Sequence, residues 1–71
     1  MPIVEIHLWK ENIDDEKKER LIREVSKSVS EILGAPIHAV EMIINEVPKA
    51  NWGKGGMPAS KWTPGQFTGK G

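Results

Sequence analysis

Residues 2–9 read PIVEIHLW, β-branched and aromatic types with apolar side chains at both parities apart from Glu5 and His7. That pattern predicts a strand covered on both faces. The polar KEN after it predicts a short loop. Asp14 or Asp15 then caps a helix whose first turn carries Glu16, an acid at the positive end of the helix dipole. Leu21, Ile22, Val25, Val29, Ile32 and Leu33 recur at helical spacing as one apolar stripe, while Lys17, Lys18, Glu19, Lys27 and Glu31 line the wet side. Gly34 is the expected C-cap, and Pro36 ends the helix.

A second branched apolar run, HAVEMIINEV over residues 38–47, predicts a second strand. A strand, a long helix and a second strand make a β-α-β unit of the α/β class, whose crossover requires the two strands to run parallel. From Pro48 onward, glycine and proline are too frequent for a helix, with room for a short hairpin around residues 51–60. The domain reading is a single unit over residues 1–61 followed by a glycine- and proline-rich extension over residues 62–71.

This organisation carries a consequence for assembly. One helix covers one face of a two-stranded sheet, and two strands alone are marginally stable. Val4, Ile6, Leu8, Met42 and Ile44 are therefore expected to need partners. Edge pairing of two units gives a four-stranded sheet with two helices on one face, and further copies cover the other. Composition strengthens that expectation. A chain of 71 residues buries a smaller share of its surface than a larger domain does, and it contains no cysteine for a disulfide or thiolate metal site. Two isolated histidines, His7 and His38, do not close a metal site by themselves. No metal or cofactor is therefore expected, and oligomerisation is the remaining remedy.

Ten basic and ten acidic residues cancel, which withholds the positive field that nucleic acid and anionic membranes select. No apolar run approaches the roughly 18 residues of a membrane span, and no basic-then-apolar leader pattern opens the chain. Neither nucleic acid nor a membrane is therefore an expected partner, and the expected location is the cytoplasm.

Pro2 is the first chemical candidate. A proline at the head of a strand is ordinarily just tolerated there. Removal of Met1, however, converts its nitrogen into a secondary amine whose reference pKa, about 7.7–8.0 for an α-amino group, falls further on burial. Such an amine shuttles protons near neutral pH or forms an iminium with a carbonyl. With Met1 retained the same nitrogen is an amide with no basicity. WGKGG over residues 52–56 lacks the phosphate-loop spacing and reads as a hairpin tip. Trp52 at its base is packing or, on a glycine-rich segment, a cover for an apolar pocket in a neighbouring subunit. His7 reads as a structural histidine, and among the polar strand positions Glu5, Glu41, Asn45 and Glu46, Glu41 is the one to watch.

The stretches PIVEIHLW, LIREVSKSVSEILGAP, VEMIINEVPKANWGKGG and the following ASK together resemble the 4-oxalocrotonate tautomerase family over residues 2–61. The resemblance implies the tautomerase β-α-β fold, pairing into a four-stranded sheet, a short C-terminal hairpin and a homohexamer built as a trimer of dimers. It also implies catalysis by the proline amine, here Pro2, moving a proton in a 2-hydroxydienoate or 2-oxo acid. The family's hydrophobic aromatic falls on Trp52.

Two departures accompany the matches. Family members hold substrate carboxylates with two arginines, one in the loop after the first strand and one in the second strand. Here the loop offers Asn12 and Ile13 in a connection one residue longer, and the strand position is Glu41, which repels a carboxylate where an arginine fork would bind it. Arg20 and Arg23 lie on the predicted helix. One reading is a tautomerase for a less negative substrate, with Lys10 or Lys54 as the substitute cation. A second is one subunit of a hetero-oligomer whose partner brings the arginines. A third gives Glu41 a role as general acid or base activating water, in the manner of the family's hydrating dehalogenases. The first is favoured, and a noncatalytic oligomeric module is the contrasting class.

Overall fold

The structure, a computed structural model, describes residues 1–62. Strand β1 spans Ile3–Trp9, helix α1 Asp15–Leu33 and strand β2 Glu41–Val47, followed by the two-residue strands β3 (Gly53–Lys54) and β4 (Met57–Pro58). Three short 3-10 turns, Ile37–Ala39, Lys49–Asn51 and Ala59–Lys61, link them. Apart from Trp62, the expected extension lies outside the described residues.

The helix begins and ends where the sequence predicts. The Asp14 carboxylate accepts a hydrogen bond from the Lys17 amide at 2.8 Å, satisfying one orphan donor, and Asp15 and Glu16 sit in the first turn. Gly34 adopts the left-handed conformation at φ 70°, and its amide donates to the Ser30 carbonyl. The Ser30 hydroxyl donates to the Ala35 carbonyl, fixing the exit.

β1 and β2 pair in parallel from Ile3 opposite Glu41 to Trp9 opposite Val47. The second strand starts later than its sequence suggests, because His38 belongs to the turn Ile37–Ala39, whose hydrogen bonds run Ala39 to Pro36 and Val40 to Ile37. This tight turn returns the chain to the head of β1, and the ladder starts only there. Among the described residues the crossover leaves each strand with one unpaired edge.

Burial alternates along both strands up to their last two residues, so a single chain covers one face of most of the ladder rather than the two faces expected of β1. Val4, Ile6, Leu8, Met42 and Ile44 are half-buried, while Ile3, Glu5, His7, Glu41, Ile43 and Asn45 are exposed. The helix lies over the first set: the Lys18 ammonium donates to the Glu46 carboxylate at 2.7 Å, and Glu46 shares parity with Met42 and Ile44. That hydrogen bond, opposed by partial desolvation, raises the Lys18 pKa above its ordinary value. The residues left open in one chain are thus Ile3 and Ile43 in a largely polar outer face. The helix stripe divides in the same way, with Leu21, Val25 and Val29 half-buried while Ile22, Ile32 and Leu33 remain 42%, 81% and 64% exposed. A stripe this wide exceeds what two strands can cover.

Among the described residues only Ala59 and Ser26 are buried, and no large side chain is fully enclosed. So little interior among the described residues leaves little apolar burial to offset chain entropy. No helix is long and apolar enough to cross a membrane among the described residues.

Candidate active site

The two ends of the β1–β2 ladder carry different chemistry. At the head, Pro2 is half-buried and its carbonyl accepts the Glu41 amide at 3.0 Å. The ladder therefore grips Pro2 by its carbonyl, and a proline nitrogen has no hydrogen to contribute to a sheet. Glu41 opens β2 beside it, exposed on the outer face.

At the far end, the outer face is covered. Trp9 and Val47 share the parity of the exposed residues, yet both are half-buried, because the segment after Pro48 folds back over them. Trp52 meets Trp9 edge to face, with ring centroids 6.2 Å apart and planes at 85°. Antiparallel β3 and β4 are joined by Gly55 and Gly56, at φ 62° and 83°, a pair of left-handed residues suited to a two-residue hairpin turn. A hydrogen bond of 2.7 Å from the Ala59 amide to the Trp52 carbonyl closes the base. This is the hairpin expected over residues 51–60.

Two ammonium groups sit against the aromatics. Lys49 Nζ lies 4.9 Å from the Trp9 centroid and pairs with Glu11 at 3.3 Å. Lys54 Nζ lies 3.9 Å from the Trp62 centroid and 5.8 Å from that of Trp9, within cation–π range. Unlike Lys49, it has no carboxylate within 4.0 Å among the described residues. Lys10 is tied to this end through its backbone, its amide donating to the Val47 carbonyl at 2.7 Å. The Trp9 indole N–H is buried without an acceptor among the described residues.

The sequence-predicted site residues thus fall into two groups. Pro2 and Glu41 stand together at the ladder's head, while Trp52, Lys54 and Lys10 stand at its tail. Pro2 and Trp9 are about 23 Å apart at the usual rise of a strand, so one chain does not bring Pro2 to Trp52. Sequence reasoning passed over Trp9, Lys49 and Trp62, although all three tryptophans of the chain gather at this end. The available signal was Trp9 at the end of β1, the same end of the parallel pair at which Pro48 follows β2. His7 meets its cross-strand neighbour, with Asn45 Nδ2 3.4 Å from Nδ1. Among the described residues no cluster of three His, Asp or Glu residues forms a metal cage.

A family model described as Tautomerase enzyme matches residues 2–61, the stretch that contains both groups. The chain belongs to the tautomerase family. It is 52% identical to a 2-hydroxymuconate tautomerase from Pseudomonas putida over 61 residues, 86% of this chain and 95% of that protein. Its backbone superposes on the crystal structure of apo unfused 4-OT with a TM-score of 0.80 at 31% identity, covering 87% of this chain and all of the other. A heterohexamer 4-oxalocrotonate tautomerase from Chloroflexus aurantiacus is similar with a TM-score of 0.78 at 28% identity, over 89% of this chain and 100% of that one. The β-α-β unit is therefore the tautomerase fold, and the chain is a tautomerase-type isomerase rather than a noncatalytic module.

Proposed function

We propose that this tautomerase uses Pro2, exposed as an N-terminal amine by loss of Met1, to move a proton in a 2-hydroxydienoate or 2-oxo acid. The amine takes the hydroxyl proton of the enol, electrons shift through the conjugated chain, and the resulting ammonium returns a proton to carbon. Substrate and product are isomers, so no cofactor enters. The observation that carries this reading is the position of Pro2: its carbonyl is fixed by Glu41, while its nitrogen lies outside the ladder at the head of β1. A base held in this way is pre-oriented at little entropic cost.

The separation of the two residue groups supports a site shared between chains, in which Pro2 and Glu41 of one copy meet Trp52, Lys54 and Lys10 of another. Trp52 excludes water from the reacting carbon, and a lysine supplies the cation that the helical arginines do not. The proposed assembly is a homohexamer, a trimer of dimers whose four-stranded sheets form by edge pairing. It would cover Ile3, Ile43 and the outer half of the helix stripe. The heterohexameric relative makes a hetero-oligomer the second reading, favoured by Glu41 standing where an arginine is expected.

Intact mass must first show one methionine lost. With phenylpyruvate and 2-hydroxymuconate as substrates, Pro2→Ala is then expected to lose about 10²–10⁴ in rate while sedimenting as the parent does. A parent-like rate in that variant sinks the proline mechanism. A parent chain that stays smaller than a hexamer until a second gene product is added supports the hetero-oligomer instead.

A further inference from the structure

We infer that the site has one anion-binding end and one anionic end, so that its substrates carry a single carboxylate, anchored by Lys54, and an uncharged unsaturated or aromatic tail. This rests on the shared-site reading above and assigns its substrate class. Charge bookkeeping at the two ends carries the argument. At the tail, Lys49 is neutralised by Glu11, whereas Lys54 has no anion among the described residues and is held against the Trp62 and Trp9 rings. An ammonium placed by aromatic faces keeps its charge and its hydrogen-bond donors, and a carboxylate is the complementary ligand.

The neighbouring Trp9–Trp52 pair offers flat apolar surface, which suits a planar conjugated or aryl tail. At the other end Glu41 is the ionisable side chain that the ladder places next to Pro2. A second carboxylate entering there meets a like charge in a site from which water is being excluded, and this repulsion grows as the dielectric falls. The two arginines do not offset it: Arg20 and Arg23 lie on α1, and Arg23 pairs with Glu24 at 3.7 Å. One cation and one anion thus favour a monocarboxylate and disfavour a dicarboxylate.

The test compares the enol of phenylpyruvate, a monocarboxylate, with 2-hydroxymuconate, a dicarboxylate, using Met-free protein. The monocarboxylate should have the higher kcat/KM, and Glu41→Gln should move the ratio toward the dicarboxylate by about tenfold. Lys54→Met should raise KM for the monocarboxylate by at least about tenfold, with Lys54→Arg restoring most of the loss. Separately, tryptophan fluorescence in the Pro2→Ala background follows titration with 3-phenylpropionate and with its uncharged alcohol. The acid should bind more tightly, and Lys54→Met should abolish that preference. An unchanged substrate ratio in Glu41→Gln, or an acid preference that survives Lys54→Met, overturns the inference even if the enzyme is active. If both enols go unturned by Met-free protein, the tautomerase reading fails, and the fluorescence titration still decides whether Lys54 holds a carboxylate.

Discussion

The head and the tail of one short parallel ladder are built by different means. At the head, Pro2 and Glu41 are joined by a backbone hydrogen bond, and the outer face beside them, with Ile3 59% exposed, stays open. At the tail, Trp9, Trp52 and two lysines interlock, and the hairpin closes over the same face. In the shared site we propose, the head is a half-site that brings the base and lacks walls, and the tail is a wall with no base of its own. Each half would supply what the other lacks, because about 23 Å of strand separates the two within one chain.

The largest effect follows from that division. Pro2→Ala and Trp52→Ala are each expected to be nearly inactive alone, because one removes the base and the other the wall. Mixed after reversible dissociation, they should recover about a quarter of the parent rate, since that share of random subunit contacts joins an intact head to an intact tail. No recovery on mixing, with mixed oligomers demonstrated by native mass spectrometry, would falsify the shared site.

A smaller effect tests whether the tail is a packed unit. Trp9→Ala removes the ring on which Trp52, Lys49 and Lys54 converge, and should lower stability by about 2–4 kcal/mol, read from the urea midpoint at constant oligomer concentration. Trp9→Phe keeps most of the apolar contact and removes the buried indole N–H that has no acceptor among the described residues. It should therefore cost far less than Trp9→Ala, because an unpaired buried donor is itself a penalty. Equal losses in the two variants would mean that the N–H, rather than the ring, holds the tail.

Most of this architecture was legible in the residues because it depends on local signals. Asp14, Gly34 and Pro36 set the helix limits, and Gly55–Gly56 set the hairpin, each through backbone chemistry that any context must respect. What failed to show was the outcome of competition for cover. Period-two patterning gave Ile3 and Val4 equal claims to burial, and only the position of α1, tied down through Lys18 and Glu46, decided between them. Likewise Trp52 and Lys54 could be nominated from the glycine-rich segment and the family resemblance, but their neighbour Trp9 comes from a segment far away in sequence. That meeting depends on the turn after Pro48, which no periodicity encodes. Pro2 and Trp52 were both recognisable, whereas the distance between them follows only from the parallel register.

The smallest effect separates the two ends by pH. Glu46 lies opposite Leu8, near the tail, so its bond to Lys18 fastens the start of α1 to that end and leaves the head untouched. Lys18 has a folded-state pKa raised above the ordinary lysine value, first by the Glu46 hydrogen bond and then, against desolvation, by the charges of Glu46 and Asp15. A raised folded value means that its contribution is fully present below the unfolded pKa of about 10.4 and fades as pH climbs through the folded value. With 27% and 25% of the two side chains still exposed, salt should weaken the pair in part. As far as Lys18 controls it, the stability gap between the parent and Glu46→Gln should accordingly stay level across neutral pH and shrink in strongly alkaline buffer as the ammonium is lost. Over the same interval the helix's first turn should lose hydrogen-exchange protection before the Glu41 amide does, once intrinsic exchange rates are corrected for pH. A gap that instead narrows on acidification, with no alkaline change, would place the controlling proton on a carboxylate and remove Lys18 as the fastening of the tail.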